Sequence, residues 1–103
     1  MGGISVNVKK YKRLLLVTIS PGKTISIQLA LYYLKAYIEK RLDQKPFDIK
    51  IKIKVFSSND KIDKIAHIII RERVDIIGFS CYVWNIENIL EVARITKKKN
   101  PLI

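Results

Sequence analysis

What this 103-residue chain has little of narrows its class before any motif is considered. It holds one cysteine, Cys81, which excludes an internal disulfide and a multi-cysteine metal site within the chain. It holds one histidine, His67, with no second imidazole to share a metal or a proton. There is no run of about 18 apolar residues, so no segment reads as a membrane span. Residues 1–8 lack the basic start, apolar stretch and small-residue cleavage site of an export signal, and a reducing cytoplasm is the expected setting. Acidic residues are also scarce, 9 against 20 lysines and arginines, for a net charge of +11. Such an excess raises nucleic acid or acidic lipid as partners. The lysines are spread along the chain, however, and accompany heavy use of isoleucine, which reads better as a solvated surface.

What is present is a folding composition. Apolar residues make up 49% of the chain and charged residues 28%, enough for one domain with one modest core. Residues 1–12 read as a loose lead-in and residues 13–103 as the domain. Residues 14–19 (LLLVTI) form a continuous apolar run closed by Ser20-Pro21-Gly22, as expected of a strand buried on both faces. Thr24 or Ser26 is placed to cap a following helix that runs to about Leu42, with Ile27, Ala30, Leu31, Leu34, Ile38 and Leu42 on its inward stripe. Residues 48–56 then alternate strictly, Ile49, Ile51, Ile53 and Val55 against Lys50, Lys52 and Lys54. That pattern is an edge strand with a wet lysine face.

A second helix, capped by Ser58, Asn59 or Asp60, carries the stripe Ile62, Ile65, Ala66 and Ile69. Residues 74–80 form a third strand. Asn85 caps a third helix with Ile86, Ile89, Leu90 and Ala93 inward, and Lys97-Lys98-Lys99 suits the negative end of its dipole before Asn100-Pro101 stops it. Strand and helix alternating three times predict an α/β, flavodoxin-like (Rossmann-like) three-layer domain with a parallel sheet of order 2-1-3. Against that fold the chain reads as incomplete, with strands 4 and 5 missing. Strand three is left as an open edge, Pro101-Leu102-Ile103 resembles the start of a fourth strand, and Leu29, Tyr33 and Tyr37 form an uncovered helix flank. Completion by further C-terminal domains, or self-association of a second copy through the open strand-three edge, is expected.

Several motifs invite stronger readings. Gly22-Lys23-Thr24 follows a strand and precedes a helix, but a phosphate loop needs a glycine five positions earlier, where Val17 stands inside the strand. A tight turn is the better reading, its amides still open to an anionic or amide group. His67 falls off the apolar stripe of its helix, between Asp63 and Arg71, as a solvent-facing residue does. Cys81 follows a strand end without a partner that would make it a nucleophile, and Asp60/Asp63 and Glu87/Glu91 are spaced as solvated helix pairs. No catalytic residue and no metal ligand is assigned. Tyr82-Val83-Trp84-Asn85 stands apart. Ligands of open parallel sheets bind outside the carboxyl strand ends where strand order reverses. Here Ser20, Pro21 and Gly22 face Ser80, Cys81, Tyr82, Val83, Trp84 and Asn85 across that point, with flat aromatic surface on offer. A plugging Trp84 and a capping Asn85 are the plainer alternative.

At these residues the chain resembles a family. The run DIIGFSCYVWN (residues 75–85), followed by a helix and Asn100-Pro101, is similar to the cobalamin-binding domain preceding the barrel of cobalamin-dependent radical S-adenosylmethionine enzymes. The run LLLVTISPGKTISIQLALYYLKAYIEK is similar to that family's opening strand, turn and helix, so the resemblance covers about residues 13–103. It implies a cobalamin-binding module whose corrin lies over the carboxyl strand ends. The Ser20-Pro21-Gly22 turn and the Ser80–Asn85 loop would line the ligand, with Ser80 bonding the nucleotide tail and Tyr82, Val83 and Trp84 meeting the ring. The D-x-H-x-x-G signature is absent, which implies no histidine ligation of cobalt. The three-cysteine iron–sulfur motif is absent too, so the cluster, S-adenosylmethionine and any methyltransferase-like activity would belong to a longer parent chain. The alternative expectation is a basic α/β interaction module for nucleic acid or a protein partner.

Overall fold

The computed structural model describes residues 11–21, 25–41 and 48–103, with residues 25–28 and 48 described in backbone only. Six elements follow in order: β1 (Tyr11–Ser20), α1 (Ile25–Arg41), β2 (Asp48–Ser57), α2 (Ile62–Arg71), β3 (Ile76–Phe79) and α3 (Ile86–Lys99). The sheet is parallel throughout with order β2-β1-β3, the flavodoxin-like arrangement expected of the alternating pattern. β1 begins at Tyr11, so the strand takes in the last two residues of the lead-in. The rest of that lead-in, the Gly22-Lys23-Thr24 turn and Leu42 lie outside the described residues.

β1 is central because it can be. Residues 15–20 are all buried, which only a strand paired on both edges and covered on both faces permits. Leu15, Val17 and Ile19 face α2 and α3 and meet Ile65, Ala66, Ile69, Ile89 and Val92 in one continuous core. Leu16 faces the other way, and both it and Leu31 of α1 are 3% exposed. The stripe of α2 is as the spacing predicts. That of α3 is rotated: Ile89, Val92 and Thr96 are buried, and Leu90 is exposed. The rotation follows from Asn85, whose burial one turn below Ile89 fixes which side of α3 faces the sheet.

Other expectations are corrected. α1 lies over β1 and β2, but Ala30 and Leu34 of its expected stripe are exposed and, among the stripe's described side chains, only Leu31 is fully buried; the Ile27 side chain lies outside the described residues. The α2 start has no side-chain cap. Asp60 Oδ2 instead accepts from the Ser57 amide at 2.9 Å, and Ser57 Oγ accepts from the Asn59 amide at 3.1 Å, so these polar groups close the β2–α2 turn. Beyond α3, the presumed start of a fourth strand is a turn at Pro101 and Leu102, with the Ile103 amide donating to the Asn100 carbonyl at 3.2 Å.

The lysine face of β2 carries a further surprise. Register places Lys52 beside Leu15 and Lys54 beside Val17, and partners in a parallel ladder share a face. The lysines therefore lie on the same side as α2 and α3, at the margin those helices leave uncovered. Glu72, just past α2, receives them both, at 2.9 Å from Lys52 and 3.4 Å from Lys54. Hydrogen bonding from Lys52, joined by Lys54, holds its carboxyl below the usual range.

Candidate functional site at the carboxyl strand ends

The ends of β1 and β3 are tied together by the side chains of Asn85 and Thr18. Asn85 is 2% exposed. Its Nδ2 donates to the Ile19 carbonyl at 3.0 Å and the Ser80 carbonyl at 3.3 Å, and stands 3.5 Å from Thr18 Oγ1. Its Oδ1 accepts from the Tyr82 amide at 2.7 Å. Thr18 Oγ1 donates to the Ser80 carbonyl at 3.2 Å, and the Ser80 amide donates to Val17 at 2.9 Å. Asn85 occupies the N-cap position of α3 yet makes no side-chain cap bond. A cap would point the amide at its own helix; here it points back across the switch point to β1. Both amide groups are engaged within the protein, so its part at the site is to hold the loop.

With the loop held, its aromatics are presented outward. Tyr82 and Trp84 stack at 4.6 Å between centroids with planes 4° apart. Trp84 remains 54% exposed and Val83 94% exposed. A parallel stack between residues two positions apart turns two side chains into a single stiff plate, because each ring blocks the rotamers of the other. Trp84 therefore does not plug the core top; it lies on the surface. Cys81 is exposed, with its Sγ 3.9 Å from the Phe79 carbonyl. On the β1 side Ser20 is buried, its carbonyl accepting from the Ser58 amide at 2.9 Å, and Pro21 is exposed.

The sequence-predicted loop and the end of β1 are thus brought together. Gly22 lies outside the described residues. His67 is exposed on α2, and among the described residues no three His, Cys, Asp or Glu side chains gather as a metal-binding group. No described helix is long and apolar enough to cross a membrane. Sequence reasoning missed the latch, since its signal is an asparagine whose partner lies 66 residues away. Comparison of the chain with family models, with curated proteins and with solved structures finds no match.

Proposed function

We propose that this domain is a cofactor-binding module that takes a broad, flat ligand at the carboxyl edge of its sheet, and that the ligand is cobalamin. The observation that carries the reading is the exposed Tyr82–Trp84 plate standing beside the β1–β3 switch point. A large ring system needs apolar, rigid area more than it needs many polar contacts. The chain fits as one wall of such a site. Tyr82, Val83 and Trp84 would meet the ring or its amides, and Ser80, Ser20 and Pro21 line the approach between the strand ends. Cobalamin supplies the methyl-transfer or radical chemistry of its own cobalt; this chain's residues bind and orient it. His67, on the exposed side of α2, is not asked to ligate cobalt. The module would serve a longer radical S-adenosylmethionine enzyme and has no activity by itself.

The experiment is to mix the protein with hydroxocobalamin and follow both the visible spectrum and co-elution on a sizing column. Retention with a spectral shift is expected, weakened about tenfold or more by Trp84→Ala, since one aromatic stacking contact contributes about 1–3 kcal/mol. No retention by this chain, and none by a version extended through the downstream coding sequence, would sink the proposal.

A further inference from the structure

α1 carries a run of exposed large apolar side chains that the fold described so far does not use. Parallel sheets are covered by helices on both faces, and α1 does cover β1 and β2. Among the described side chains of α1 only Leu31 is fully buried, while Leu29, Tyr33, Leu34 and Tyr37 stand 49%, 72%, 46% and 52% exposed. At 100° per residue, Leu29, Tyr33 and Tyr37 form one line along the helix, with Leu34 on its shoulder. Ile76 adds to the same side of the molecule. Its partner in the ladder is Leu14, out of phase with the Leu15 side that faces α2 and α3, and it is 48% exposed. From Leu29 to Tyr37 this line has no charged residue, although the chain as a whole carries +11. A surface short of charge and rich in tyrosine has the composition of an interface centre.

We propose that this face pairs with the same face of a second copy, α1 against α1, antiparallel across a two-fold axis near Tyr33. The area argues for it. With about 200 Å² for a large side chain, the five residues expose on the order of 500 Å² of apolar surface per copy. A stable interface buries about 800 Å² per partner, of which about 56–65% is apolar, close to the same figure. Antiparallel pairing is also self-complementary. Tyr33 meets its counterpart at the axis, and Leu29 lies opposite Tyr37 on either side, with the guanidinium of Arg41, 5.7 Å from the Tyr37 ring centroid, at the edge of the paired surface. Lys40 and Arg41 fall beyond this stretch, at the rim. Interaxial spacing of about 8–10 Å lets such rows interdigitate. The pairing leaves the carboxyl strand ends free, so it stands independently of the ligand proposed above.

Two copies of net charge +11 repel at long range, which gives the pairing a particular salt dependence. Sedimentation velocity of the full chain from about 1 to 300 μM should show a concentration-dependent dimer whose population rises with added salt. Tyr33→Glu, at a position too exposed to endanger the fold, should weaken dimerisation by at least about tenfold. Leu102→Glu, exposed at the far end of α3, should leave it unchanged. In a Cys81→Ser background, Tyr33→Cys should be joined to its counterpart by a short bis-maleimide, as pairing through the β3 edge would not permit. A monomer at every concentration and salt level would overturn the proposal. So would a dimer indifferent to Tyr33→Glu, or one that fails to cross-link through position 33.

Discussion

Replacing Asn85 by alanine removes a side chain that bonds both the end of β1 and the aromatic loop after β3. The Ser80 carbonyl keeps the Thr18 hydroxyl as a donor at 3.2 Å. The Ile19 carbonyl loses its 3.0 Å side-chain donor and the Tyr82 amide its 2.7 Å acceptor. A buried polar group left without its partner costs about 1–3 kcal/mol, so two of them and a small cavity should cost about 3 kcal/mol. For a domain of this size that is a fall in Tm on the order of 15 °C. Urea unfolding followed by far-UV circular dichroism, at matched protein concentration, measures it directly. Asn85→Asp sharpens the test. It keeps the acceptor for Tyr82 but turns a carboxylate oxygen toward the Ile19 and Ser80 carbonyls, which raises its folded pKa. A carboxyl with a raised folded pKa is worst when ionised, so this variant should be weakest at neutral pH and recover stability as pH falls through the carboxylate range. A loss under about 1 kcal/mol for Asn85→Ala, or an Asn85→Asp variant without pH dependence, would refute the claim that this amide is the latch.

Other perturbations follow from the same geometry. Glu72 has a depressed folded pKa through Lys52 and Lys54, so its stabilisation is present above the unfolded carboxylate value and lost as pH falls through the folded one. Glu72→Gln should therefore cost about 0.5–1 kcal/mol at neutral pH and nothing in strong acid, as pH-dependent urea melts would read. Arg73 holds φ at 53° just beyond α2, with its amide donating to the Ile70 carbonyl at 3.1 Å. Because only glycine takes that conformation without cost, Arg73→Gly should stabilise by about 0.5–1 kcal/mol in thermal melts. A Cβ at Gly78 would come 3.0 Å from Leu16 Cδ2, and Leu16 is packed, so Gly78→Ala should destabilise by about 1 kcal/mol in the same assay.

How much of this was legible in the sequence depends on how far apart the interacting residues lie. Strand order was legible because burial is written locally: residues 14–19 are apolar without interruption, and the lysine alternation of residues 50–54 marks a margin. The stripe of α2 was legible for the same reason. The rotation of α3 was not, because it depends on Asn85 reaching β1, and a cap is what local rules assign to an asparagine at a helix start. The exposure of Leu34 was hidden too. Short of Lys40 and Arg41 at its end, the charged residues of α1, Lys35 and Glu39, occupy a narrow strip and leave apolar residues on most of its circumference, so periodicity alone could not say which face the sheet would take. The candidate site was legible as a place, through the carboxyl-end rule and the aromatics. The stacking of Tyr82 on Trp84 was a matter of rotamers, which the order of residues does not record.

The central position of β1 also sets a schedule for synthesis. It is the first of the described strands to leave the ribosome, yet it is complete only when β3, some 62 residues later, has closed its second edge. Until β2 is made both edges of LLLVTI are unpaired, and until β3 follows one still is; the segment is uncharged and β-prone, of the kind that joins other chains. Translation through residues 20–75 is thus the vulnerable interval, and the four residues of β3 end it. Mutations that slow or weaken β3 should reveal themselves as insoluble protein long before they register as a lower melting temperature.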